Sequence, residues 1–161
     1  MADTISSKKY QSLAILVMLR FLEFSMSYLA QCLCQSVALR VKQLTPEVSA
    51  CHCRTCRQWG GGPLLTLHCG GDVILSGDAI TRYASSEWAE RGFCRECGTH
   101  LFYFYKKRPA YFIPAALFGD DIPFTLTEQI FIDQKPDYYG FSQCTATMTA
   151  DEAIAAFTAQ E

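Results

Sequence analysis

Short apolar runs separated by turn residues dominate the middle of this chain. Val37, Leu39 and Val41 alternate with other residues, a period of two that is typical of a strand with one buried face. Other runs are rich in β-branched and aromatic residues, which also favour strands. These runs cover 64–69, 73–75, 80–83, 101–105, 111–113 and 129–132. Many short strands at close spacing predict a mainly β domain.

Two local signals add detail to this pattern. Gly70-Gly71-Asp72 separates two of the runs and predicts a hairpin-like turn between them. Near the end of the chain, Thr149 followed three residues later by Glu152 forms a capping box, which marks the start of a helix. Residues 153–159 favour a short C-terminal helix, with Ile154 and Phe157 on one face.

An apolar stretch at residues 13–24 precedes the predicted strands. Arg20 and Glu23 interrupt it, and it is shorter than the roughly 20 apolar residues that a membrane span needs. A membrane location is therefore not expected. Three interpretations stay open: an extension upstream of a true start at Met26, an amphipathic helix packed on the domain, and a signal peptide or anchor.

The chain is accordingly divided into an N-terminal extension (1–25), helical or a mis-called start, and one domain (26–161). With 161 residues, half of them apolar, the chain is long enough to bury a substantial core. The formal net charge is -2, so the sequence lacks the basic excess that general nucleic-acid binding requires. No nucleic-acid partner is expected.

Nine cysteines are a high count for this length, and their spacing indicates metal binding. The chain contains C-x-C, C-x-C-x-x-C and C-x-x-C in that order, and these are the spacings of metal ligands. Disulfide bonds in a secreted protein are the alternative. In a reducing compartment such clusters are typical of zinc sites, so a cytoplasmic location is expected.

The outer two cysteine pairs predict a closed zinc site. In a strand, residues i and i+2 point to the same side, so Cys32 and Cys34 can face one ion. Cys94 and Cys97, followed by Gly98, form a zinc-knuckle turn that converges two more sulfurs. Four thiolates make a tetrahedral structural site. The alternative is a set of buried reduced cysteines without metal.

The central cluster predicts a second zinc site with an open position. Cys51, Cys53 and Cys56 supply three thiolates, and no fourth cysteine lies at normal ligand spacing. Catalytic zinc sites commonly keep three protein ligands and leave the fourth position to water or substrate. The site would then be catalytic, and its net negative charge suits thiol activation better than hydrolysis. The alternative is closure by Cys69, His68, His52 or His100, which would make this site structural too.

Other polar residues near the clusters allow two interpretations each. Arg54 and Arg57 flank the central cysteines and either pair with a ligand carboxylate or remain solvated. His52 is expected to point away from the metal, and His100 to take a polar role near a site. Arg91 is expected to pair with an acidic residue at 120 or 121, and Cys69 and Cys144 to be ordinary small residues.

The full order of motifs resembles a known family. After the C-x-C and C-H-C-x-x-C cysteines come Tyr83-Ala84-Ser85-Ser86, then R-G-F-C-x-x-C-G-T from Arg91 to Thr99, and later Gly119-Asp120-Asp121 and Gln134-Lys135-Pro136. This pattern, over about residues 28–150, resembles the glutathione-dependent formaldehyde-activating enzyme (Gfa)/centromere protein V family.

The resemblance implies an Mss4-like, mainly β fold stapled by two zinc ions per chain. It implies a structural zinc at Cys32, Cys34, Cys94 and Cys97, and a second zinc at Cys51, Cys53 and Cys56. It also implies a carbon–sulfur lyase that condenses formaldehyde with glutathione to S-hydroxymethylglutathione. Arg54 and Arg57 would then contact a glutathione carboxylate.

The sequence departs from this family at two places. Gln35-Ser36 follows the first cysteine pair where glycine is common, and Asp137-Tyr138-Tyr139 stands where tryptophan is common. These tyrosines either stack on a ligand or are core and rim aromatics. Two hypotheses follow: an enzyme acting on a small thiol–aldehyde adduct, and a non-catalytic zinc module that binds glutathione or a protein partner. The oligomeric state, including a homodimer, stays open.

Overall fold

The computed structural model describes residues 27–159, and these residues form a mainly β fold. The apolar stretch at residues 13–24 and the proposed extension 1–25 lie outside the described residues. Eleven strands are present in this part of the chain: β1 Tyr28–Gln31, β2 Ala38–Val41, β3 Glu47–Cys51, β4 Leu64–His68, β5 Val73–Ser76, β6 Ile80–Ala84, β7 Ala89–Cys94, β8 His100–Tyr105, β9 Ala110–Pro114, β10 Thr125–Ile130 and β11 Ala146–Met148. The helices are α1 Arg54–Gly60 and α2 Ala150–Thr158, with 3-10 turns at Ala115–Phe118 and Ile132–Gln134.

The strands form two sheets. A small sheet has the order β1-β2-β5, and a large one has the order β11-β10-β3-β4-β9-β8-β7-β6. Pairing is antiparallel except that β10 runs parallel to both β3 and β11. The predicted mainly β fold is therefore confirmed.

The core lies between the two sheets and draws residues from both. Leu39 and Val41 of the small sheet and Leu67, Leu101 and Ile113 of the large sheet are fully buried in one cluster. Each such side chain contributes about 1.5–3 kcal/mol when removed from water. The period of two at Val37, Leu39 and Val41 thus buries one face of β2, as the sequence predicts.

The predicted hairpin at Gly70-Gly71-Asp72 is wrong. β4 pairs with β3 and β9, whereas β5 leaves this sheet and pairs with β2. The backbone at the turn bonds to β9 instead, because Cys69 N–H donates to the Tyr111 carbonyl and Tyr111 N–H donates to that of Gly70. A Cβ atom on Gly71 would lie 2.8 Å from the Pro109 carbonyl oxygen, so the turn packs tightly against the β8–β9 connection.

The C-terminal helix begins at the predicted capping box. Thr149 accepts a hydrogen bond from Glu152 N–H, and the Glu152 carboxylate accepts one from Thr149 N–H. Of the two apolar residues predicted on one face, only Phe157 packs on the domain, near Tyr105, whereas Ile154 is 53% exposed and Ala153 is buried in its place. Positions 153 and 157 are one helical turn apart, and they define the contact instead.

No helix among residues 27–159 has both the length and the apolar character needed to cross a membrane.

Candidate functional site

Four cysteine sulfurs from distant parts of the chain meet at one place. Cys32 and Cys34 follow β1, Cys94 ends β7, and Cys97 lies in the turn before β8. Their four sulfur atoms lie within 4.8 Å of one another. The cluster joins the small sheet to the large sheet, because its first pair belongs to one and its second pair to the other.

The first pair reaches this geometry through a turn, which corrects the expected strand geometry. β1 ends at Gln31, so Cys32 and Cys34 do not share a strand face. Their sulfurs are nevertheless 3.5 Å apart, because they share a turn that Gln35 N–H closes by donating to the Cys32 carbonyl oxygen. Gln35 ends this turn with a φ of 62°. This left-handed conformation costs a non-glycine residue about 1–2 kcal/mol. It gives a physical reason for the glycine that is common here in the resembled family.

Neighbouring polar groups surround these sulfurs. Ser36 Oγ lies 3.0 Å from Cys34 Sγ and 3.4 Å from Cys94 Sγ. Thr99 Oγ1 lies 3.1 Å from Cys97 Sγ, and this hydrogen bond is the main reason that the pKa of Cys97 falls to about 5. Hydrogen bonds to sulfur favour thiolates, and thiolates are the form that binds metal.

The second pair forms the predicted knuckle. Gly98 N–H donates to the Cys94 carbonyl oxygen, and Gly98 has a φ of 73° that suits glycine. Four convergent thiols with hydrogen-bonded sulfurs fit the donor set of a structural zinc ion.

Three further cysteine sulfurs form a separate, compact cluster. Cys51 ends β3, Cys53 caps α1, and Cys56 lies inside α1. Their sulfurs also lie within 4.8 Å of one another. Cys56 N–H donates to Cys53 Sγ at 3.3 Å, so the helix cap itself fixes the distance between two of the sulfurs. The donor set fits a three-coordinate zinc site with one further position.

In the part of the chain that the structure describes, no fourth histidine, cysteine or acidic ligand atom completes this cluster. His52 is fully buried and turned away: Nδ1 lies 2.7 Å from Tyr139 Oη and Nε2 lies 3.0 Å from Gln129 Oε1. Burial lowers the pKa of His52, so its ring is neutral at pH 7. His52 instead ties the segment that carries Cys51, Cys53 and Cys56, here called the metal loop, to β10 and to the segment after β10.

The other sequence candidates for a fourth ligand lie elsewhere. Cys69 donates to the Leu67 carbonyl oxygen, and burial raises its pKa to about 12. His68 packs edge-on against Phe112, and the ring of His100 is tilted by 30° against that of Trp59, with ring centres 4.6 Å apart.

Electrostatics within the cluster are set by the sulfurs themselves and by Arg91. Hydrogen bonds with Cys51 and then with Cys56 lower the pKa of Cys53, whereas hydrogen bonds with Cys53 and then with Cys56 raise the pKa of Cys51. Arg91 Nη2 donates to Cys56 Sγ at 3.4 Å, and only 3% of Arg91 is exposed. The expected pairing of Arg91 with Asp120 or Asp121 is therefore wrong, because the side chain points into the domain.

The two arginines of the loop differ in their contacts. Arg57 Nε donates to the His52 carbonyl oxygen at 2.8 Å, so part of its guanidinium braces the metal loop. Arg54 is exposed, and its backbone N–H bonds to Gln134 Oε1. Their contact with a ligand carboxylate stays a prediction.

Trp59, Tyr83 and Phe93 form an aromatic wall beside α1, which the sequence did not predict. Trp59 stacks on Tyr83 with ring centres 6.1 Å apart and an angle of 7° between the planes. Phe93 meets the same indole edge-on at 5.8 Å. Tyr83 is 56% exposed, so this wall reaches the surface. Trp59 lies three residues after Cys56, a helical spacing that places both on one face of α1.

A cavity of about 570 Å³ lies next to this wall. It contains Gly60 at the end of α1, His100, and Phe141, whose ring is 6.1 Å from that of His52. Apolar side chains such as Leu65 and Phe124 line most of the remainder. No cysteine lines the cavity. The cavity is linked to the cysteine segment through ring contacts, because His100 lies against Trp59 and Phe141 lies near His52.

Fold and sites together define a class of protein, namely an Mss4-like β domain with one four-cysteine and one three-cysteine cluster. A family model described as glutathione-dependent formaldehyde-activating enzyme matches residues 27–134. The chain belongs to this family. The two clusters allow zinc binding in this chain.

Two individual proteins are similar to the chain. A Schizosaccharomyces pombe protein named as an uncharacterized lyase is 40% identical over 130 residues, which covers 79% of this chain and 94% of the relative. The crystal structure of a Rhodobacter sphaeroides protein, a structural genomics target, matches with a TM-score of 0.50 and 21% identity. It covers 59% of this chain and 91% of the solved chain, and it supports the fold alone.

Proposed function

We propose that this protein is a zinc-dependent carbon–sulfur lyase of the Gfa type that acts on a glutathione adduct. Two zinc ions per chain would be held by Cys32, Cys34, Cys94 and Cys97 at one site and by Cys51, Cys53 and Cys56 at the other. The observation that carries this proposal is the three-sulfur cluster, to which the described residues add no fourth ligand. Family membership and the lyase name of a relative support the reaction class.

The proposed reaction joins a thiol to an aldehyde. The sulfur of glutathione bonds to the carbonyl carbon of formaldehyde, the carbonyl π bond breaks, and the oxygen takes up the proton that the thiol releases. The product is S-hydroxymethylglutathione, and the reverse reaction cleaves the carbon–sulfur bond. A zinc ion at the open site would supply a cationic position that holds a thiol as thiolate at neutral pH.

The residues around the cluster have supporting roles in this proposal. Arg57 and His52 fix the loop that carries the cysteines, because Arg57 bonds to the His52 carbonyl oxygen and the His52 ring bonds to Tyr139. Trp59 and Tyr83 form the apolar wall along which an adduct can pack. Arg54 is exposed next to Cys53 in the sequence, where it can pair with a glutathione carboxylate. Thiolate clusters of this kind persist in reducing compartments, so we propose a cytoplasmic location.

The direct test is product formation from formaldehyde and glutathione, followed by NMR of the hydroxymethyl group. Wild-type protein should accelerate the reaction above the uncatalysed rate, and Cys53→Ser should not. Cys144→Ser is the matched control, because Cys144 is an exposed thiol outside both clusters. An acceleration that survives Cys53→Ser would contradict a reaction at this cluster.

A second candidate is a non-catalytic zinc module that binds glutathione or a protein partner. The separation of the cavity from the sulfurs favours this alternative, since a ligand can occupy the cavity without reaching the cluster. Calorimetric binding of glutathione without turnover, retained in Cys53→Ser, would support this second function over the first.

A further inference from the structure

Arg91 on β7 is a buried cation that donates a hydrogen bond to a cysteine sulfur. Its Nη2 donates to Cys56 Sγ at 3.4 Å, and its Nε is buried without a hydrogen-bond partner. The guanidinium carbon lies 5.2 Å from the ring centre of Tyr103 and 5.9 Å from that of Trp59. Among residues 27–159, no carboxylate forms an ion pair with Arg91.

A charge in this position needs a compensating negative charge. An isolated ion inside a protein loses its hydration, and the loss is tolerated only when an opposite charge is close. The aromatic faces of Trp59 and Tyr103 offer partial compensation. The three-cysteine cluster is the remaining anionic neighbour, and Arg91 touches it directly.

Arg82 on the neighbouring strand shows the usual arrangement. It also lies over aromatic rings, at 4.9 Å from that of Phe102, but its Nη1 bonds to Glu90 at 3.0 Å. Both arginines lie over aromatic rings, but the side chain of Arg82 is 40% exposed and pairs with a carboxylate, whereas Arg91 is buried and contacts the three-cysteine cluster.

The charge of the loaded site gives this contact a consequence. Three thiolates around a divalent zinc carry one net negative charge, and a thiolate in the fourth position raises it to two. A water molecule or another neutral ligand adds no charge. A fixed cation beside Cys56 therefore attracts the thiolate-bound form more strongly than the water-bound form.

We propose that Arg91 is a positioning residue that compensates the charge of the three-cysteine zinc site and so favours a thiolate over neutral ligands at its fourth position. The inference rests on the proposed function in assuming zinc at this site. It does not depend on which aldehyde or thiol is turned over.

The test compares Arg91→Gln, Arg91→Lys and the matched control Arg82→Gln in cobalt-substituted full-length protein. 2-Mercaptoethanol is the anionic probe, because it is neutral when free and charged only as a metal-bound thiolate. Imidazole is the neutral probe. Each probe is titrated, and the readout is the probe concentration at half-maximal spectral change. The sulfur-to-cobalt charge-transfer band reports binding of 2-mercaptoethanol, and the ligand-field spectrum reports binding of imidazole.

Arg91→Gln should raise the midpoint for 2-mercaptoethanol by about 10- to 100-fold and leave that for imidazole within about threefold. Arg91→Lys keeps the charge and should keep the preference for the thiol. Arg82→Gln should match wild type with both probes. Equal changes for the two probes in a folded Arg91→Gln protein would overturn the proposal.

If Arg91→Gln does not fold, the proposal is tested with Arg91→Lys instead. A folded lysine variant that binds imidazole normally but has lost its preference for the thiol would overturn the proposal, and retained preference would support it. The proposed reaction is tested separately by turnover. If wild-type protein binds 2-mercaptoethanol at cobalt but makes no S-hydroxymethylglutathione, the proposed reaction is wrong. The inference about Arg91 would still stand.

Discussion

The two cysteine clusters use the same chemical group but are held by different parts of the fold. The four-cysteine cluster joins a segment of the small sheet to a segment of the large sheet. The sulfur atoms of Cys34 and Cys94 are 3.8 Å apart, although the two residues are 60 positions apart in the sequence. The three-cysteine cluster comes from one continuous segment, namely the last residue of β3, the cap of α1 and the first turn of α1. One cluster closes the fold, whereas the other is a local structure placed on it.

Under the proposed function, this difference suits the four-cysteine cluster to stability and the three-cysteine cluster to chemistry. A metal that links distant segments removes much conformational freedom from the unfolded chain, so folding depends on it. A metal held by a local loop can exchange or change ligands while the sheets remain intact. Hydrogen bonds that join His52 to Tyr139 and to Gln129 keep that loop in place independently of the metal.

The largest expected effect follows from Cys94→Ser. Cys94 is fully buried and belongs to the cluster that joins the sheets. A structural zinc contributes folding free energy on the order of 10 kcal/mol, so the variant should lose cooperative folding at 37 °C. Circular dichroism and zinc content measure this. The control is Cys144→Ser, and a Cys94→Ser protein with wild-type unfolding would remove the distinction between the clusters.

Cys53→Ser should instead separate metal loss from unfolding. We expect zinc to fall from two ions to one per chain, with loss of activity and a change in unfolding free energy below about 3 kcal/mol. Metal analysis and thermal unfolding on the same sample measure both quantities. Loss of both ions together with the fold would show that the two clusters form one cooperative unit.

Tyr139→Phe tests the support of the metal loop without touching a cysteine. The change removes the hydroxyl that bonds to His52 Nδ1 and should reduce the unfolding free energy by about 1 kcal/mol. Chelator competition should also remove the more labile zinc faster. Tyr138→Phe is the control, because Tyr138 is 77% exposed. If both variants release zinc at the same rate, the hydrogen bond between His52 and Tyr139 does not contribute to zinc retention.

The smallest effect is expected far from both clusters, at the cap of α2. Thr149→Ala should lower the unfolding free energy by about 1 kcal/mol and leave both zinc ions bound. Any change in zinc content would mean that the stability of the α2 cap is coupled to metal binding at a cluster, which would contradict the expected independence of the cap from both clusters.

The same cap gives a pH dependence of known sign. Hydrogen bonds from the Thr149 backbone and side chain lower the pKa of Glu152 below its ordinary value of 4.5. The folded state therefore binds the Glu152 proton less readily than the unfolded state, so this contribution is complete above pH 4.5 and is lost as the pH falls. Glu152→Gln should flatten the stability profile in that acidic range, and an unchanged profile would exclude the carboxylate as its source.

Sequence reasoning worked best where interactions are local. The capping box at Thr149 and Glu152 lies within one turn, and the structure reproduces it. The strands with strong apolar runs, such as β8, were also predicted correctly. The grouping of cysteines into a four and a three matches the spatial clusters, and their metal content stays a prediction.

Non-local pairing explains the errors. A turn such as Gly70-Gly71-Asp72 looks the same whether the next strand returns to its neighbour or crosses to another sheet, and β5 crosses. The sequence also places Arg91 35 residues from Cys56, so only the pairing of β7 in the large sheet reveals that contact. Strands such as β3 and β7 were missed because cysteine, glycine and charged residues obscure their apolar pattern.

The most direct test of the unequal clusters is graded zinc removal with mass-spectrometric mapping of the freed thiols. The protein is titrated with a chelator, labelled with N-ethylmaleimide, and digested at each step. We predict that Cys51, Cys53 and Cys56 become labelled first, with loss of one zinc and an intact fold, and that Cys32, Cys34, Cys94 and Cys97 become labelled only on unfolding. Simultaneous labelling of all seven, or labelling of the four before the three, would contradict the account.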